Sequence, residues 1–356
     1  MSIRITRSTV DRIPKWSAAF ALVLAGACGG GRGAKDNASS AANGAGGPGG
    51  KAFTIAMIAK SSTNPVFLSG RAGADSAAAE LTKATGVNVK VDWMTPPDED
   101  ATIQAQRIAE AVNGGANAIL LSASDAGKLI GAVNEAVKRG VPVMTFDSDV
   151  AGSNRFSFYG GDDAQMGKQV MQELAKQMNG KGKIAILAGN QNAPNLQKRV
   201  QGVKDEAKNY PGITILSTFY HAETPQDAAA EVLRAKNAYP DIQGWAMIGG
   251  WALFTDALLK DLDASKVKIV SVDAIPAELP YVDKGLAPVL LAQPVFDWGY
   301  VSVKTIFDHV YLKKDVPAHV QMDLVRVSKD NLGTWARQLK AWGFTDVDPK
   351  YLALAK

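Results

Sequence analysis

From residue 53 to residue 292 the sequence alternates short apolar runs with stretches whose apolar residues recur every three to four positions, and no other feature restricts the fold as much. The apolar runs predict strands over 53–58, 87–93, 118–121 and 141–146, then over 156–159, 183–187, 213–219, 244–248, 267–272 and near 288–292. The periodic stretches predict helices over about 65–85, 98–112, 126–138, 165–178, 195–209, 225–238 and 252–262. Strands that are apolar along their whole length belong to sheets covered on both faces, and strand–helix alternation makes such sheets parallel. About ten strands exceed the usual single sheet, and the rhythm restarts near residue 156 without any internal sequence repeat. The expected fold is therefore α/β, with two doubly wound parallel-sheet lobes joined by a hinge.

Composition agrees and narrows the function. A chain of 356 residues with 46% hydrophobic and 21% charged residues has enough apolar material for two cores. The net charge of +4 is spread over interleaved acidic and basic residues, so no nucleic-acid footprint stands out. The single cysteine, Cys28, forbids an intrachain disulfide. The three histidines, His221, His309 and His319, lack metal-ligand spacing, and neither a metal nor a cofactor is expected.

The N-terminus reads as an address. Arg4, Arg7, Arg12 and Lys15 precede an apolar run over 16–27, too short to span a bilayer but suited to a signal peptide. The run ends in Leu24-Ala25-Gly26-Ala27-Cys28, which resembles a lipobox with Cys28 as the lipid-attachment residue. Plain secretion is the alternative, because small residues at Ala25 and Ala27 also fit a cleavage site. Residues 29–50 are Gly-, Ala-, Ser- and Asn-rich and are expected to be a disordered tether.

In open α/β sheets ligands bind beyond the carboxyl ends of the strands. Six predicted strand ends carry polar or aromatic groups: Lys60 and Asn64 to Phe67, Asp147-Ser148, the Asn195 and Arg199 helix, Trp251, Asp273, and Gln293. Carboxylates, amides and a guanidinium can grip vicinal hydroxyls in bidentate fashion, while an aromatic face such as Phe67 or Trp251 packs on a sugar ring.

These segments resemble the periplasmic binding proteins of the ribose and galactose type. The residues that carry the resemblance are IAMIAKSSTNPVF at 55–67, VPVMTFD at 141–147, Arg199-Val-Gln-Gly202, IVSVD at 269–273 and LLAQ at 290–293. The resemblance covers about 53–327 and implies an extracytoplasmic receptor of an ABC sugar importer, monomeric, touching the membrane only through its lipid anchor and a permease. It implies ligand contacts at Asn64, Phe67, Asp147, Arg199, Asp273 and Gln293, to which Lys60, Ser148, Asn195 and Trp251 are added here. Departures stand at Val66, where ribose binders carry a second phenylalanine, at Ser148, where they carry arginine, and at Gly249, where they carry asparagine. The expected ligand is thus a sugar or polyol other than ribose.

Each residue also has a structural reading. An aspartate after a strand commonly caps a helix. Asn64 before Pro65 has the form of an N-cap, Gln293 before Pro294 could mark a hinge crossing, and Phe67, Lys60 and Asn195 stay open between site and scaffold. Trp93, Tyr159, Tyr220 and Trp298 read as core or cleft rim, and Asp162 and Asp163 as helix caps. The expected domains are a signal peptide at 1–27, a tether at 28–50, an N-terminal lobe at 51–160 plus about 294–322, a C-terminal lobe at 161–293 plus about 323–330, and a C-terminal extension at 331–356. Rival functions are a sensory receptor for a chemoreceptor or histidine kinase, a sugar hydrolase using Asp147 and Asp273, and a repressor, the last opposed by a signal peptide in place of DNA-binding helices. A periplasmic or outer-surface location follows, anchored or soluble.

Overall fold

The structure is a computed structural model that describes residues 52–355. The expected signal peptide, Cys28 and the tether lie outside the described residues. The first lobe contains β1 (Phe53–Ile58), α1 (Pro65–Thr85), β2 (Val89–Trp93), α2 (Ala101–Asn113), β3 (Ala118–Leu121), α3 (Ala126–Lys138), β4 (Val143–Phe146) and β5 (Ser157–Gly160). The second contains α4 (Asp163–Gln177), β6 (Lys181–Ala188), α5 (Pro194–Ala207), β7 (Gly212–Tyr220), α6 (Pro225–Ala238), β8 (Gly244–Met247), α7 (Ala257–Asp261), β9 (Lys268–Val272), α8 (Leu279–Lys284) and β10 (Val289–Ala292). The chain then returns through α9 (Val295–Ile306), β11 (His319–Gln321), β12 (Val325–Ser328), α10 (Leu332–Ala341) and α11 (Pro349–Leu352).

Two six-stranded sheets result, ordered β2-β1-β3-β4-β5-β11 and β7-β6-β8-β9-β10-β12. The orders are equivalent strand for strand, so β4 and β9 hold the same place in their lobes. All pairings are parallel except β10 with β12. The chain passes between sheets three times: after β5, after β10, and between β11 and β12.

Period-two alternation explains why the strands read as unbroken apolar runs. In β1 Ile55 and Met57 enter one core while Ala56 and Ile58 enter another, and β3 divides Leu120 from Ile119 and Leu121 in the same way. Both faces of the first sheet are therefore buried. The second lobe shares one large core.

Several details differ from the sequence reading, among them α8 and α9, which it did not predict. The short edge strands β11 and β12 bring the total to twelve among the described residues; too few residues alternate there to register as a pattern. The helix expected over 252–262 is a 3₁₀ turn at Trp251–Leu253 followed by the separate α7. The C-terminal extension packs on more than one lobe. Trp335 of α10 donates its indole N–H to the Ala274 carbonyl at 2.7 Å in the second lobe, while Trp342 stacks on Phe296 of α9 at 6.0 Å, and α9 packs on α1 of the first lobe.

Candidate binding site at the lobe boundary

Local backbone preferences place each polar side chain. At the ends of β4 and β9 the chain turns through left-handed conformations at Asp147 (φ +55°) and Asp273 (φ +78°). Aspartate tolerates this region better than most residues, because its short polar side chain bonds locally. Each carboxylate is then tied by two donors. Asp147 accepts from Ser122 Oγ at 2.8 Å and from Asn195 Nδ2 at 3.2 Å. Asp273 accepts from the Gly250 N–H at 3.2 Å and from Gln293 Nε2 at 2.8 Å. Ser122 follows β3 and Gly250 follows β8, which are equivalent strands, so one donor to each aspartate comes from the same place in its own lobe, whereas Asn195 of α5 reaches Asp147 from the opposite lobe.

Arg199, 2% exposed, lies between them. Its Nε donates to Asp163 at 2.9 Å, Nη1 to the Ile248 carbonyl at 3.2 Å, and Nη2 to Gln293 Oε1 at 3.1 Å, with Asp147 at 3.9 Å. The close crossing of α4 and α5 makes this possible. A Cβ on Gly202 would stand 2.1 Å from the Ala164 carbonyl oxygen, and one on Gly167 2.0 Å from that of Arg199. Only glycine permits the approach that brings Asp163, at the start of α4, onto the guanidinium. That is the physical content of the Arg-x-x-Gly spacing.

Burial and charge compete here. Burial pushes the Asp163 carboxyl up to about 6 against the attraction of Arg199. At Arg199 burial works the other way, but Asp163, Asp147 and Asp273 outweigh it and hold the guanidinium more firmly charged. Burial also raises Asp273, opposed by Gln293 and Arg199. Behind Asp273 sits Glu278, fully buried and pushed well above the carboxylate range by burial and by that neighbour.

The aspartates, Arg199 and Gln293 line one cavity with Lys60, Asn64, Phe67, Asn195 and Trp251. Asn64 caps α1 by accepting the Val66 N–H at 3.1 Å, and its residue also faces the cavity, so cap and site membership coexist. Phe67 belongs both to the first lobe's core, against Trp298 at 5.6 Å, and to the cavity wall. Ser148 does not line the cavity: it is buried behind Asp147, with its hydroxyl unpartnered. Asp149 is also turned away, bound to Arg155 at 2.5 Å.

Val66, noted as a departure, and Trp298, read as core or cleft rim, also line the cavity, and the structure adds Leu196 and Glu223, which the sequence pattern did not single out. Asp163 is no cap; Asp162 alone caps α4, accepting the Gln165 N–H at 3.0 Å. Glu223 sits in the loop before α6, where Thr224-Pro225 signals only a helix start, so nothing local marks it out.

The enclosed space is about 20 Å³, far below the several hundred Å³ of an ordinary ligand pocket. A larger surface hollow of about 1010 Å³ lies on the second lobe beside Gly182, Gly212 and Gln243, at the starting ends of its strands. Open α/β sheets bind ligands at the opposite ends, so the small cavity is the candidate site.

Two equivalent α/β lobes whose strand ends meet in one polar cavity have the architecture of type I periplasmic binding proteins. The chain belongs to that family: residues 55–314 match the periplasmic binding protein domain. Among curated relatives it is 27% identical to a xylitol-binding protein of Mycolicibacterium smegmatis over 57% of this chain and 59% of that protein, less than two thirds of the relative's length. It is 24% identical to the ribose import binding protein of Escherichia coli over 78% of this chain and 90% of that one. A carbohydrate transporter solute-binding protein of Agrobacterium radiobacter, solved with D-arabinose, superposes with a TM-score of 0.73 at 26% identity, covering 82% of this chain and 98% of the other.

Proposed function

We propose that this chain is an extracytoplasmic solute-binding protein that captures a sugar or sugar-like polyol between its lobes and delivers it to an ABC importer. The observation that carries the reading is the pair Asp147 and Asp273, held at equivalent strand ends of opposite lobes with Arg199 between them in one cavity. The relatives named for xylitol and ribose, and the neighbour solved with D-arabinose, support the same ligand class.

Each aspartate oxygen receives one protein donor, which leaves lone pairs for vicinal hydroxyls. Arg199, Asn64 and Asn195 offer donors, and Phe67, Trp251 and Trp298 offer apolar faces. A hydroxyl set in the wrong place leaves a buried polar group unpaired at a cost of about 1–3 kcal/mol, and this discriminates between stereoisomers. No sugar fits within 20 Å³, so entry requires the lobes to separate. A ligand that touches both lobes then favours the closed arrangement. Micromolar capture needs about 8 kcal/mol net, within reach of several charge-assisted hydrogen bonds and a stacked ring.

A thermal-shift screen of the protein against pentoses, hexoses, five-carbon polyols, amino acids and nucleosides tests the ligand class. A pentose or polyol is expected to raise the melting temperature, and Asp273→Asn to erase the rise; a response confined to amino acids or nucleosides refutes the reading. Anchoring through Cys28 belongs to the same proposal, supported by the lone cysteine at the end of the apolar run. Metabolic labelling with a fatty acid, lost in Cys28→Ser, checks it.

A further inference from the structure

Beside the aspartate pair, a second set of charges crosses from lobe to lobe. Lys60 follows β1 in the first lobe and is 2% exposed. Its Nζ lies 3.2 and 3.1 Å from the two oxygens of Glu223, which follows β7 in the second lobe, and 3.3 Å from Glu99 of its own lobe. Asn190 of the second lobe completes the circuit. Its backbone N–H donates to Glu223 at 3.1 Å, and its amide Nδ2 reaches across to Glu99 at 3.2 Å. The space is reserved for this purpose: a Cβ on Gly189 would stand 2.7 Å from the Glu223 carboxylate. Lys60 and Glu223 both line the cavity, so the network forms one wall of it.

We propose that Lys60, Glu99 and Glu223 form an interlobe latch that sets the closure equilibrium of the cleft and ties it to pH. The latch rests on the reading of the cleft as a two-lobe capture site, but it acts whether or not a sugar is present. Two carboxylates share one ammonium in a water-poor place, so the closed arrangement carries one negative charge too many. Burial pushes Glu223 up to about 8, with Lys60 opposing and Glu99 adding to the rise. At Lys60 burial acts downward, but the two glutamates outweigh it and keep the ammonium charged. Three other titratable groups lie nearby. Asp147 acts on Lys60 from beyond the cavity, burial lowers His221, which packs edge-on against Trp251 at 5.4 Å, and Asp227 is engaged by Thr224 at 2.8 Å.

When the lobes part, Glu223 meets water and falls back toward about 4.3. Closure therefore takes up a proton, is favoured in full below the open-state value, and loses this contribution as pH rises through about 8.

Small-angle X-ray scattering of the full chain without added sugar, at about pH 5.5 and about pH 9 on either side of that value, reads the equilibrium directly. The radius of gyration is expected to rise at the higher pH. Glu223→Gln keeps one oxygen that can accept from both Lys60 and Asn190 while removing the surplus charge, so it is expected to stay compact at both. Lys60→Met removes the shared ammonium, so Glu223 climbs further and stays protonated at acid pH; this variant is expected to be more expanded than the native protein at the higher pH and to be relieved at the lower, with an unchanged far-ultraviolet circular dichroism spectrum. A native radius that is the same at both pH values, or a Glu223→Gln variant with the native pH response, overturns the latch. Neither result bears on the ligand class, which the thermal-shift screen decides separately.

Discussion

Replacing Arg199 by methionine keeps the length and apolar stem of the side chain but removes the one cation, among the described residues, in contact with Asp163, Asp147 and Gln293. Asp163 loses a 2.9 Å bond, and the Ile248 carbonyl loses its donor at 3.2 Å. Breaking a buried ion pair from one side costs about 3–5 kcal/mol. At about 2–4 °C per kcal/mol for chains of this size, the melting temperature falls by about 6–20 °C near neutral pH. The loss depends on pH in a definite direction. Asp163 already sits at about 6 because burial outweighs the arginine, so its favourable contribution is complete below the ordinary carboxylate value and disappears as pH rises through about 6. Without Arg199 its value climbs further, and protonation relieves more of the damage. Calorimetry of both proteins at about pH 5 and about pH 8 should show a smaller gap between them at the acid pH. An equal gap at the two pH values, or one worth less than about 1 kcal/mol, would refute the assignment of Arg199 as the counter-charge of a buried carboxylate cluster.

Gly202→Ala forces a methyl group to 2.1 Å from a helix carbonyl, so α4 and α5 must separate; urea denaturation should show a loss of about 1–3 kcal/mol, accompanied by weaker sugar response as Asp163 leaves Arg199. Asp147→Gly and Asp147→Ala should both abolish that response, yet differ in stability. At φ +55° glycine meets no Cβ penalty, and the glycine variant should be more stable than the alanine variant by about 1 kcal/mol in matched urea titrations.

Much of the architecture was legible because burial on both faces writes itself into consecutive residues. The runs at 53–58 and 118–121 read as interior strands and are so, whereas Gly202, three positions after Arg199, was legible only as part of a resemblance, and its helix crossing emerged from the fold. Strand ends were legible for the same reason: a polar residue such as Asp147 or Asp273 directly after an apolar run must lie where the sheet stops. Ser148 shows the limit of that logic. It too follows the run, but the turn at Asp147 sends one side chain to the cavity and the next behind it.

What the sequence determined alone was local: which residues pair with water, which pair with the core, and where most of the strands and helices between residues 53 and 250 lie. Which charges oppose one another was decided only by the tertiary structure. Lys60 and Glu223 are separated by 163 positions, and Asp163 reaches Arg199 only because two glycines let α4 and α5 touch. Electrostatic partnership depends on distances of a few ångströms across folded surfaces, and a linear pattern carries no record of such distances.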